Sequence, residues 1–237
     1  MRKQIPNIIT LLNLLAGCIA ITMAFQSHYK AVVIWVVVAA VFDFLDGMAA
    51  RLLKAWSPIG KELDSLADVV SFGVAPAVAV FMLLRETLPV PGLWQPLSLY
   101  LPYTAFLIPL FSAYRLAKFN LDERQTTSFR GLPTPANALF WISYSYGIQQ
   151  LTPAPSSLIY LTLFFILSLS LLMISEVPMF SLKIKKISLK ENGRQALLLL
   201  LMIVFVVLWG IMGIAWGILA YIALSVITRS GEHQTVK

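Results

Sequence analysis

The sequence predicts an all-α fold, a polytopic bundle of about eight membrane-spanning helices forming one integral-membrane domain over residues 1–237. Three observations predict it. Of the 237 residues 59% are hydrophobic and only 12% are charged. The mean hydropathy is +0.81. The cations gather in polar segments between apolar runs, many of them of membrane length. The net charge of +7 does not mark a nucleic-acid binder, because cations placed between apolar spans orient a membrane protein and attract anionic lipid headgroups. The single cysteine, Cys18, lies in an apolar run, which excludes a disulfide framework within the chain and reads as a small packing residue.

Taken in order, the first helix runs from about Ile5 to Phe25 behind Arg2 and Lys3. A signal peptide is the rival reading, but the span is long and carries Asn7, Thr10 and Asn13, so it is expected to be retained. Gln26 to Lys30 makes a polar turn, with His28 solvated in it. The second helix extends from near Ala31 to about Ala55, where Trp56, Ser57 and Pro58 break it. The third covers Gly60 to about Leu84. From Leu88 onward Pro89, Pro91, Pro96 and Pro102 mark an external loop entering a fourth helix that ends near Lys118.

Phe119 to Ala136 is the longest polar stretch in the middle of the chain, stiffened by Pro133 and Pro135. The fifth and sixth helices are expected at Asn137 to Gln150 and Ser157 to Ser175, the fifth being short for a hydrocarbon core of about 30 Å. Lys183, Lys185, Lys186, Lys190 and Arg194 follow as a basic footing on an anionic leaflet, with no aromatics interleaved for nucleic acid. Ala196 to Thr228 fits one over-long span or two short ones meeting near Gly210 and Gly213. The positive-inside rule favours two. With eight spans and both ends cytoplasmic, sixteen of the eighteen lysines and arginines lie inside, leaving only Lys30 and Arg85 outside.

Within this apolar chain one stretch is costly. Asp43, Asp46, Arg51, Asp64 and Asp68 fall between membrane-length runs. Each Asp at a helix centre costs roughly 3 kcal/mol if it faces lipid, so the four together would cost on the order of 10 kcal/mol. They must face a wet cavity or a cation. Asp43, Asp46, Gly47, Ala50 and Arg51 lie at i, i+3, i+4, i+7 and i+8 of one helix, and Gly60, Asp64 and Asp68 step by four along the next. A hairpin of those helices aims all four carboxylates into one cleft, where like charges need a counter-charge. Hard divalent cations, Mg²⁺ or Mn²⁺, supply it, and a pair of them is the usual clamp for displacement at phosphorus.

Asp43 to Asp68 fits D-x2-D-G-x2-A-R-x8-G-x3-D-x3-D at every fixed position, and in this the chain resembles the CDP-alcohol phosphatidyltransferase family. Eight specified positions match by chance at a given start with a probability of order 10⁻¹⁰, which removes coincidence as a rival. The opening P-N-I-I-T-L-L-N-L-L-A-G, the run D-S-L-A-D-V-V-S-F-G-V-A-P-A and the R-L-A-K-F-N and F-R-G-L-P-T-P segments resemble the phosphatidylserine synthase branch.

The resemblance implies transfer of a phosphatidyl group from CDP-diacylglycerol to L-serine, with release of CMP, in a prokaryotic membrane, and the charge distribution opens the acids to the cytoplasm. It implies that Asp43, Asp46, Asp64 and Asp68 hold two metal ions, Mg²⁺ or Mn²⁺, with Asp68 also the general base. Asn7, Thr10, Gly47, Arg51, Ser57 and Gly60 would bind CDP-diacylglycerol, and Arg115 and Arg130 the acceptor carboxylate or a phosphate. Partners would be those two substrates, membrane lipids and a second copy of the chain, with no nucleic acid. Several alternatives stay open. Asn7 would also suit a helix start, Arg115 and Arg130 would also suit topology alone, and Asp68 fits as base or as ligand. Glycerol 3-phosphate or inositol phosphate are alternative acceptors. In another class, a cation transporter explains the acids but not Gly47, Ala50, Arg51 and Gly60.

Overall fold

Helix α1 (Ile5–Phe25) buries its small and polar residues and leaves its large aliphatic ones outside. In the computed structural model, which describes residues 4–87, 99–121, 129–151, 157–179 and 193–232, Thr10, Asn13, Ala16, Ala20 and Ala24 face inward while Ile8, Leu11 and Leu15 are exposed. Such a helix has lipid as its outer solvent, so close approach to its neighbours needs small residues and the apolar outer face costs nothing. Helix α2 (Tyr29–Leu52) repeats the pattern, burying Val32, Val36, Ala39 and Asp46 and exposing Ile34, Val41 and Phe44. Arg2, Lys3, Pro89, Pro91, Pro96, Arg124, Lys183, Lys185, Lys186, Lys190 and Lys237 lie outside the described residues.

The predicted third helix is a longer rod with a fault in it. It comprises α3 (Pro58–Asp68), a π-helical turn (Val69–Val74) and α4 (Ala75–Thr87). It starts at Pro58 rather than Gly60 because Ser57 caps it, its Oγ accepting the Gly60 N–H at 3.1 Å, with Pro58 at the first helical position. The π turn follows Asp68 directly and is clamped from two sides. Ser71 Oγ donates to the Asn13 carbonyl of α1 at 3.0 Å. A Cβ on Gly17 would lie 2.4 Å from Ser71 Oγ and 2.8 Å from Ser71 Cα. Helix α5 (Leu107–Leu121), entered by a 3-10 turn at Leu101–Phe106, closes the other side, where a Cβ on Gly73 would meet Pro109 Cα at 3.3 Å.

Gly17→Ala is therefore expected to destabilise the protein by about 1 to 3 kcal/mol, since backbone rather than a side-chain end must move. The reading is a lowered thermal unfolding midpoint in detergent. An unchanged midpoint would mean that α1 and the π turn are not in this contact.

Helix α6 (Thr134–Gln149) is the centre of the bundle. Phe140, Trp141, Ile142, Ser143, Tyr144 and Ser145 are consecutive and all buried, as expected of a helix surrounded by protein. It packs against α2, α4 and α9. Its shortness therefore needs no thinning of the membrane, because its sides are covered by neighbouring helices and not by lipid. Phe140, Trp141 and Phe165 form an aromatic cluster with centroids 5.0 and 5.2 Å from Phe140, and Tyr144 bonds Thr162 of α7 (Leu158–Ile174) at 2.7 Å.

The last apolar run is two helices, α8 (Gly193–Trp209) and α9 (Met212–Glu232), reversed at Gly210, whose φ of 59° suits a residue without a side chain. Counting the faulted rod once, the described residues hold eight helical rods. Three are long and apolar enough to cross a membrane: Ile5–Phe25, Tyr29–Leu52 and Pro58–Glu86. One feature was not expected. The polar middle segment contains a short strand, β1 (Phe129–Arg130), antiparallel to β2 (Pro178–Met179), with Phe129 opposite Met179 and Arg130 opposite Pro178. Cys18 is exposed and is not a packing residue.

Candidate active site

The turn between α2 and α3 sets the site. Helix α2 stops at Leu52, Lys54 takes a left-handed conformation (φ 49°), and the Ala55 N–H returns to the Ala50 carbonyl at 2.9 Å. The chain then re-enters a helix at Pro58 and α3 packs on α1, so that its carboxylate stripe faces that of α2. Oxygens of Asp43, Asp64 and Asp68 lie within 4.8 Å of one another. Asp68 is buried, and its Oδ1 accepts from Asn13 Nδ2 of α1 at 3.3 Å.

Asp46 is not part of that trio. It is buried against α1, its Oδ2 accepting from the Thr10 hydroxyl at 2.7 Å. The same hydroxyl lies 3.0 Å from the Pro6 carbonyl, but the carboxylate is the stronger acceptor for its one proton. Thr10, read as a nucleotide contact, thus also holds an acidic side chain in place.

Beside the acids is an open cavity of about 120 Å³. Asn7, Thr10, Asp46, Gly47, Ser57, Gly60 and Asp64 all line it, together with Trp56 and Lys61. Gly60 matters by its lack of a side chain, since a Cβ there would lie 3.0 Å from both Asn7 Oδ1 and Ser57 Oγ. Arg51 does not line the cavity. It is exposed at the lip, its Nε donating to the Gly47 carbonyl at 2.9 Å. Ser65 and Ser71, noted in the branch-like run, are packing residues: Ser65 accepts from Asn120 at 2.8 Å and Ser71 ties the π turn to α1.

The donor set fits divalent cations. Three carboxylates within 4.8 Å would repel one another by roughly 3.5 kcal/mol per pair at an effective dielectric of 20 if all were ionised. Among the described residues the ion pairs found, Lys118 and Arg130 with Glu176, do not involve them. Asp64 Oδ1 and Asn13 Oδ1 are buried with no hydrogen-bond partner. Acceptor oxygens without donors, in a group of hard anionic ligands, are what a divalent metal satisfies.

Arg115 and Arg130 are brought to a second, narrow cleft with Lys118. Arg130 is not free there. Its Nη1 donates to Glu176 Oε2 at 2.8 Å, while Lys118 Nζ donates to the other oxygen. Hydrogen bonds from Arg130 and Lys118 hold the Glu176 carboxyl down at about 2, so it is ionised throughout the working pH range. Sequence reasoning missed Asn13 as the partner of Asp68, and Glu176 altogether. Asn13 did carry a signal, since it continues the buried stripe of Pro6 and Thr10.

The CDP-alcohol phosphatidyltransferase family model matches residues 3–176. Curated relatives named CDP-diacylglycerol–serine O-phosphatidyltransferase include that of Mycobacterium leprae (strain TN), 35% identical over 187 residues, which are 74% of this chain and 57% of that protein. The Bacillus subtilis (strain 168) relative is 34% identical over 161 residues, 67% of this chain and 86% of that one. The Mycobacterium bovis relative is 33% identical over 206 residues, 84% of this chain and 68% of that one.

Proposed function

The chain belongs to the CDP-alcohol phosphatidyltransferase family, and on that premise we propose that it moves the phosphatidyl group of CDP-diacylglycerol to L-serine, yielding phosphatidylserine and CMP. The observation that carries this reading is the convergence of Asp43, Asp64 and Asp68 from two helices beside a cavity lined by the remaining motif residues.

Asp43, Asp64 and Asp68, with Asp46, would hold two Mg²⁺ or Mn²⁺ ions. When bound, such ions offset the negative charge that gathers on phosphoryl oxygens during displacement. The protein's own groups do the rest. Asn13 engages one oxygen of Asp68, leaving the other to take the proton of the serine hydroxyl. The serine oxygen forms its bond to the lipid-side phosphorus as the bond from that phosphorus to the CMP oxygen breaks, and CMP departs with the electron pair. Thr10 fixes Asp46, and Asn7, Ser57 and Gly60 shape the cavity for the cytidine nucleotide. Arg51 and Lys61 stand at its lip, within reach of a diphosphate. Arg115, in the neighbouring cleft, suits the serine carboxylate.

The lipid tails stay in the membrane while the headgroup enters at the interface. The positive-inside distribution supports eight spans with the acids opening to the cytoplasm; a prokaryotic cytoplasmic membrane, a single domain and a homodimer belong to the same proposal and rest on family membership. Purified protein given labelled CDP-diacylglycerol with serine, glycerol 3-phosphate or inositol 1-phosphate in turn is expected to release CMP with serine alone. CMP release with glycerol 3-phosphate in place of serine would reject the acceptor.

A further inference from the structure

The basic cleft beside the acids is not simply basic. Arg115 is buried, donates one N–H to Thr134 Oγ1 at 3.1 Å, and leaves its buried Nε without a partner. A buried guanidinium with a spare donor calls for an anion. Helix α5, which carries Arg115, packs on the π turn that follows Asp68, and its Asn120 bonds Ser65 of α3 at 2.8 Å, so this cleft lies on the same side as the carboxylate-bearing rod. Lys118 and Arg130 add two further cations at the mouth. Against these three stands one acid, Glu176, which accepts from Lys118 through Oε1 and from Arg130 through Oε2. A carboxylate offers about four lone-pair directions, and these bonds use two. The side chain is 53% exposed, so the unused directions are open to an incoming molecule.

Cations facing a half-used carboxylate match a molecule that carries both signs. We propose that Glu176 is a specificity-determining residue that receives the ammonium of the acceptor while Arg115 receives its carboxylate, so that the cleft selects a zwitterionic hydroxy amino acid over a phosphorylated alcohol. The inference rests on serine being the acceptor. A dianionic phosphate monoester finds the same cations, but Lys118 and Arg130 already donate to Glu176, and the phosphate brings its own charge up against that carboxylate.

The test compares L-serine with 3-hydroxypropionate, which lacks only the ammonium, in wild type and in Glu176→Gln. Wild type is expected to show a KM for 3-hydroxypropionate at least roughly tenfold above that for serine. In Glu176→Gln the serine KM rises by roughly the same factor towards it, the effect falling on KM rather than kcat, and inorganic phosphate inhibits at lower concentration. Glu176→Asp, which keeps the charge, recovers part of the loss. Equal use of the two acceptors by wild type overturns the proposal without any variant, and so does a serine KM in Glu176→Gln equal to that of wild type. Wild-type protein that releases no CMP with serine brings down the acceptor reading instead, which separates the two failures.

Discussion

Asp68→Asn is expected to lower CMP release by about a thousandfold or more while leaving the fold intact. The asparagine keeps the Oδ1 that Asn13 engages and keeps the side-chain shape within a buried setting. What it removes is a proton acceptor, worth about 10² to 10⁴ in rate, and one anionic donor to metal. Removal of one of three crowded charges leaves the unloaded cluster less repulsive, so the thermal midpoint in chelator is expected to match or exceed that of wild type. Turnover near the wild-type rate would reject Asp68 as base.

Chelation is expected to abolish turnover completely, with recovery on adding Mg²⁺ or Mn²⁺. It also has a readout independent of chemistry. Removing divalent ions leaves Asp43, Asp64 and Asp68 facing one another within 4.8 Å, so the unfolding midpoint of wild type should fall in chelator. Asp43→Asn removes one of the three charges, so its midpoint should fall less. Equal falls in both proteins would argue that the ions act elsewhere.

Much of the site was legible because it is local. Asp43 to Asp68 spans one helical hairpin, and a carboxylate stripe at steps of three and four needs only helical geometry to converge. The break at Ser57 and Pro58 and the reversal near Gly210 are likewise short-range, written in a cap, a proline and a glycine. Ser57 shows the limit. Its cap was readable from the serine-proline pair, whereas its place in the cavity wall depended on where α1 lies.

The sequence by itself determined a lipid-embedded helical bundle and the acidic stripes on two successive helices, since hydropathy and helical period act over a few residues. Only the tertiary structure decided that Asp46 leaves the trio for Thr10, that Asn13 reaches Asp68 across 55 residues, and that Glu176 closes on Lys118 and Arg130. It also decided that the rod after Asp68 opens into a π turn, where Gly17 and Gly73 let α1 and α5 press against it. Those pairings depend on the rotation and axial offset of whole helices against each other, which the packing of small residues sets in three dimensions and no local pattern encodes.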